Sequence, residues 1–343
     1  MANILYLGNH SVASTSGHRA QALARLGHTV DVMDPYEQLS RQINSRWLGA
    51  IHFRTGYRFL NRTVASWLDE KVRDKAPDIV WVNSGELLGP SAMQVLKGLN
   101  CPIVLYNNDD PTGKRDGHRF DSLLKAFPFY DLVVVRREKN ISELERLGAK
   151  RVMHILMSYD EVYHKPFASA SDIPKEFLSE VAFIGTWMRS EKRDAFILSL
   201  LRQGVPVSIW GNRWEKSPHF AQLRDHWRGK ALSGRNYVAA LQGAKICLGM
   251  ISKGNRDMHT RRSVETPYAG GLLCAERTPI HSEMYKEGEE AVFWGDADEC
   301  AAICKDLLAD DEKREKIRAA GRARVLSLGV GNEDLCRRIL ESI

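Results

Sequence analysis

Short apolar runs ending in glycine or a polar turn recur along the first half of the chain, each followed by residues with helical spacing. Asn3–Gly8 (NILYLG) is the first run. Ala20, Leu23, Ala24 and Leu26 then repeat at the interval of one helix face, and Gly27 closes that helix. His28–Met33 (HTVDVM) alternates as a second strand, which completes a β–loop–α–β unit. The pattern predicts further buried strands at Asp78–Val82, Pro102–Tyr106, Asp131–Val135 and Arg151–Ile155, with helical stretches between them. Strands alternating with helices imply a parallel sheet covered on both faces.

Between Ser158 and Glu180 the periodicity lapses around Pro166, Pro174 and a Ser/Ala-rich patch, and a linker is expected there. A second alternating series follows, with strands at Val181–Ile184, Val205–Trp210, Ile246–Met250, Gly271–Ala275 and Ala291–Trp294. Its later helices are Ala297–Leu308 and Glu312–Leu326, and Glu333–Ile343 reads as one more. The expected fold is α/β: two Rossmann-like domains, 1–165 and 166–330, facing one another across a cleft. The helix in 331–343 is expected to pack back on the first domain.

The 343 residues carry 49 Lys+Arg against 43 Asp+Glu, a net +6, with 43% hydrophobic residues and six cysteines. That length suits two domains, and the composition excludes disordered, collagen-like and disulfide-scaffold classes. The cysteines show no zinc spacing, so buried thiols are expected. No secretory signal pattern opens the chain and no run approaches 18 apolar residues, so a cytoplasmic protein is expected. The charge is not spread evenly: residues 201–262 hold 12 Lys+Arg against 3 Asp+Glu, a surplus larger than that of the whole chain. That reads as a localised anion site.

Ligands of open α/β sheets bind beyond the carboxyl ends of the strands, so the residues there carry the chemistry. Gly8-Asn9-His10-Ser11 follows the first strand but is not the GxGxxG of a dinucleotide site. Asn107-Asn108-Asp109-Asp110-Pro111 follows the fourth and offers either a base or turn and cap chemistry. In the second half Gly185-Thr186 precedes Arg189, Lys192 and Arg193, and Gly211-Asn212 follows the next strand. After Ile246–Met250 comes a stretch in which Asp257 and Glu265 bracket His259, Thr260, Arg261 and Arg262. Cations at a helix start followed by a carboxylate suit either a diphosphate and ribose or a solvated helix start.

The segment Ile246–Leu326 resembles the C-terminal domain of CgeB-like glycosyltransferases, of the GT-B group that includes families 1 and 4. The likeness rests on Arg262-x-x-Glu265 followed by Ala269-Gly270-Gly271, and on Glu287-Gly288-Glu289-Glu290 before an apolar strand, with weaker support from Phe183-Ile184-Gly185-Thr186. In family 4 relatives an E-x7-E element closes on the donor; here Asp257 holds its first place and Glu265 its second. The resemblance implies transfer of a sugar from a nucleotide-diphosphate donor, UDP-sugar favoured, possible retention of configuration being part of that expectation. Arg261 and Arg262 would offset the diphosphate charge, with no metal or other cofactor.

The candidate residues are then Asp109, Asp257 and His10 as catalytic groups. Gly185, Thr186, Arg189, Arg193, Gly211, Asn212, His259, Thr260, Arg261, Arg262 and Glu265 are the donor set. GT-B relatives bind acceptor in the N-terminal domain, which makes Asn9, His10, Arg54 and Arg58 the acceptor set. From Gln38 to Leu68 there is no acidic residue, and Arg41, Arg46, Arg54, Arg58 and Arg62 occur. Phe53, Tyr57, Leu60, Val64 and Trp67 share a helical spacing there. This reads either as a basic amphipathic helix for an anionic acceptor or membrane surface, or as a helix packed on the sheet. The acceptor itself, whether glycan, lipid-linked or protein, is open. No nucleic-acid partner is expected, since no aromatic-basic motif or recognition helix is present. A nucleotide-sugar epimerase and a non-catalytic nucleotide or polyanion binder are the alternatives.

Overall fold

A computed structural model describes all residues 1–343. The chain divides into two compact units, Met1–Leu156 with Asn332–Ile343, and Met157–Gly331. The first holds six parallel strands: β1 (Asn3–Leu7), β2 (Thr29–Met33), β3 (Ile79–Asn83), β4 (Ile103–Tyr106), β5 (Leu132–Val135) and β6 (Val152–His154). Their order is β2-β1-β3-β4-β5-β6. In the central strands nearly every residue is buried, because alternate side chains enter two different helix layers. Leu5, Val80, Val82 and Leu105 pack on one face, and Ile4, Tyr6, Trp81 and Tyr106 on the other. Tyr6, Trp81 and Tyr106 stack across three strands with centroids 6.5 and 6.2 Å apart.

The helix Asn332–Leu340 closes that second face. Its Leu335, Cys336 and Ile339 meet Ala20, Ala22 and Leu23, from the helix Thr15–Arg25, and Arg25 Nε lies 2.5 Å from Glu333 Oε1.

The second unit repeats the architecture with β7 (Ser179–Ile184), β8 (Val207–Trp210), β9 (Trp227–Gly229), β10 (Ala244–Gly249), β11 (Leu273–Glu276) and β12 (Val292–Trp294). The order β12-β11-β10-β7-β8-β9 is that of a Rossmann sheet. The apolar pattern misses β9: three residues, Trp-Arg-Gly, are too few to show a period.

Two expectations need correction. The boundary falls at Met157, not at 166, because the Pro/Ser/Ala stretch is packed into the second unit. Ile173 and Phe177 are buried with Tyr237 and Val238, and Gln242 exchanges two hydrogen bonds with the Phe167 backbone, at 2.7 and 3.1 Å. The basic segment is not one helix. It runs as Arg46–Arg54, a 3-10 turn Arg58–Leu60 and Asn61–Val72, broken where Gly56 and Tyr57 take left-handed backbone at φ 61° and 57°. Gly56 approaches the His118 carbonyl so closely that a Cβ would lie 2.5 Å from it, and the chain turns there.

All six cysteines are free thiols, and no helix is long and apolar enough to cross a membrane.

Candidate functional site

In the second unit the loops after β7 and β8 are zipped together. The Gly185 N–H donates to Trp210 O (2.8 Å), the Trp187 N–H to Asn212 O (3.0 Å), and Trp214 Nε1 to Gly185 O (2.8 Å). Gly211, at φ 156°, lies so close that a Cβ would stand 2.0 Å from Gly185 O. Only glycine fits that approach. Gly211 is buried beneath it and shapes the loop. Arg193 is buried, and its Nη1 donates to Thr186 O at 2.9 Å, holding the loop from below. Asn212 Oδ1 accepts from the Ala231 N–H at 3.1 Å. Thr186 and Arg189 remain at the surface of the turn.

The loop after β10 is anchored to the same region by Glu191, whose carboxylate accepts from Ser252 Oγ (2.9 Å) and from the amides of Lys253 (3.0 Å) and Gly254 (3.3 Å). Beyond it stands the short helix Arg262–Tyr268, with Arg261 at its N-cap. Glu265 points inward, is 2% exposed, and sits at the centre of a network. Tyr237 OH donates to Oε2 at 2.5 Å, while His164 Nε2 lies 3.6 Å and Arg261 Nε 4.0 Å from Oε1.

The protonation states follow from these contacts. His164 Nδ1 accepts from the Asp160 amide at 2.8 Å, so the neutral ring carries its proton on Nε2, toward Glu265. Burial lowers the His164 pKa further, against the opposing pull of Glu265 and Asp160. Burial by itself would raise Glu265, but the charge of Arg261, the neighbouring His164, the charge of Arg262 and the Tyr237 hydroxyl together outweigh it, and the carboxyl stays below its ordinary range. Arg261, 42% exposed at its side chain, is the solvent-facing member of the set.

Arg262 makes no ion pair. Its Nε is buried without a hydrogen-bond partner, as is Thr260 Oγ1 close by. A buried guanidinium N–H and hydroxyl without partners at one helix start are donors that an anion reaching them would satisfy. His259 is buried, and its Nε2 accepts from the Met157 amide at 2.8 Å, tying the start of the unit to the loop before the helix. Asp257 is buried too.

In the first unit the residues after the strands form a second polar cluster. His10 is exposed, with Nδ1 3.5 Å from Asp34 and 3.7 Å from Glu37. Asn9 caps its own loop, its Oδ1 accepting from the Ser11 amide at 2.9 Å. Asp109 lies 3.6 Å from Arg119, which also holds Glu86 at 2.6 Å and Asp116 at 3.3 Å. Burial pushes Glu86 up to about 7 against the pull of Arg119, with Asp109 adding to the rise.

Sequence reading passes over Glu86, Arg119, His164 and Tyr237, each of which reaches its site from a distant segment. Only the position of Glu86 just after a strand marks it in advance. Arg54 and Arg58 are exposed on either side of the Gly56 turn.

Residues 189–329 match the family described as glycosyl transferase-like. Anabaena HepE, solved in complex with UDP and glucose, is 16% identical, with 100% of each chain covered and a TM-score of 0.68. Sucrose-phosphate synthase from Thermosynechococcus elongatus is 14% identical over 100% of each chain, with a TM-score of 0.69. The α,α-trehalose 6-phosphate synthase of Burkholderia multivorans is 14% identical over 100% of each chain, at 0.63. No curated protein shows significant sequence similarity. The two parallel six-stranded sheets with their helices are the GT-B fold.

Proposed function

We propose that the chain transfers a sugar from a nucleotide-diphosphate donor, a UDP-sugar by preference, to an acceptor hydroxyl, with retention of anomeric configuration and without a metal. The observation that carries this reading is Arg262, with an unpartnered buried Nε beside Arg261 at the start of the helix that bears Glu265. It lies inside the segment that matches the glycosyl transferase-like family. UDP occupies the fold in HepE, which supports that nucleotide here.

Cleavage of the glycosidic bond moves negative charge onto the leaving diphosphate. Two guanidinium groups offset that charge as it grows, and so lower the barrier without a divalent ion. Thr260 Oγ1 offers a further donor. Glu265 has every near partner within the protein, so its contact with a ribose requires Arg261 to swing from the carboxylate onto the phosphate. Donor binding then exchanges one anionic partner of Arg261 for another. In the first unit Asp109 is the reachable carboxylate for an acceptor, and Arg119 orients it.

Calorimetry with UDP-, GDP- and dTDP-sugars tests the donor, followed by a transfer assay over acceptor classes. Binding of a UDP-sugar that Arg262→Ala abolishes is the expected result. Binding to none of the three refutes the proposal, and release of a free sugar epimer without acceptor replaces transfer by epimerisation.

A further inference from the structure

The helix Arg46–Arg54 (RWLGAIHFR) is turned inside out. It buries only His52, while Trp47 is 78% exposed and Leu48 and Ile51 are each 50% exposed. Positions 47, 48 and 51 share one helix face. After the Gly56 break, Phe59 is 59% exposed beside Arg58, whose guanidinium lies 4.7 Å over its ring. Elsewhere in the segment the apolar residues behave normally: Tyr57, Leu60 and Val64 enter the core. Single exposed apolar residues are common, but a Trp-Leu-Ile face on a helix that gives the core a histidine is not.

The charge around that face has one sign. Arg41, Arg46, Arg54, Arg58 and Arg62 are all exposed and unpaired, and no acid occurs between Gln38 and Leu68. We propose that this segment docks the protein on an anionic phospholipid surface, with Trp47, Leu48 and Ile51 entering the interface and the arginines meeting lipid phosphates. Charge complementarity selects this occupant. Each arginine near such a surface strengthens partitioning by about fivefold, tryptophan favours the headgroup level, and short apolar insertions add to the electrostatic attraction. An acceptor carried on a lipid would then meet the first unit at the bilayer, although docking itself does not depend on the transferase reading.

Flotation of the full-length protein with vesicles tests this. With roughly one-third phosphatidylglycerol at about 0.1 M salt, the protein floats; with phosphatidylcholine alone, binding falls at least about tenfold. The Trp47→Ser/Leu48→Ser/Ile51→Ser variant loses at least about tenfold, and Arg41→Gln/Arg46→Gln loses binding and much of its salt dependence. A calorimetric melt of the triple variant that matches wild type shows the first unit still folded, and calorimetric UDP binding, which reports on the other unit, keeps this test separate from the donor reading. No binding to anionic vesicles, or equal binding by the triple variant, overturns the proposal. So does a wild-type dimer that the triple variant abolishes with no vesicle binding by either, which assigns the face to a second copy.

Discussion

Tyr237 makes a buried hydrogen bond to the Glu265 carboxylate, and a double-mutant cycle measures it. Tyr237→Phe keeps the buried ring and removes only the hydroxyl that donates to Oε2 at 2.5 Å. Glu265→Gln keeps the shape and removes the charge. A buried hydrogen bond to a charged group contributes about 1.5–3 kcal/mol. His164, neutral and 3.6 Å away, replaces little of it, and Arg261 at 4.0 Å is screened by solvent. Tyr237→Phe should therefore cost about 2 kcal/mol, or about 4–8 °C in the melting transition of this unit. The double variant should cost little more than the worse single, leaving a coupling of at least about 1 kcal/mol.

The pH dependence has a definite sign. The folded Glu265 carboxyl lies below its ordinary value of 4.5, so the stabilisation is complete above that value and is lost as pH falls through the folded pKa. Calorimetric melts of the four proteins from neutral to acid pH provide the assay. Additive losses, with coupling under about 0.5 kcal/mol, would refute the bonded pair.

Other consequences are sharp enough to check. Gly211→Ala puts a Cβ 2.0 Å from a backbone carbonyl, so it should lower stability by more than about 2 kcal/mol and weaken UDP binding at least about tenfold; an unchanged melt would contradict the close approach. Arg262→Ala should weaken UDP binding by at least about tenfold and lower melting by less than Tyr237→Phe does, since its guanidinium makes no ion pair and acts on Glu265 only through its charge. Arg193→Ala should do the reverse and act mainly on stability, as its hydrogen bond supports Thr186 from within. For Glu86, raised from 4.5 to about 7 by burial, the stabilisation is complete below the unfolded value and is lost as pH rises through the folded one. Glu86→Gln should flatten that decline when melts are compared across the range.

Much of the fold was legible because a parallel sheet buried on both faces writes each strand as a short apolar run; β4 and β5 read directly from PIVLY and DLVVV. The strand β9 did not, having three residues and one arginine. The segment Gln38–Leu68 misled for another reason. Its helical spacing is genuine, but a close approach at Gly56 breaks the chain, and the residues that share a spacing then divide between core and solvent.

Part of the charged network around Glu265 was visible in Arg262-x-x-Glu265 because one helix turn brings those residues together locally. What completes it was not: His164 lies before β7 and Tyr237 on another helix, and no local pattern marks a tyrosine as the donor to a buried carboxylate. Glycines told the same story in reverse. Gly211 looked like a ligand contact, but it is required by a neighbouring carbonyl.

The central claim is that Arg261 and Arg262 receive a nucleotide diphosphate beside Glu265, and a crystal grown with UDP tests it most directly. The account predicts the diphosphate within hydrogen-bond reach of Arg262 and Thr260, Arg261 turned from Glu265 toward phosphate, and the ribose on the freed carboxylate. UDP bound away from these residues, with the contacts of Arg261 and Glu265 unaltered, would contradict it.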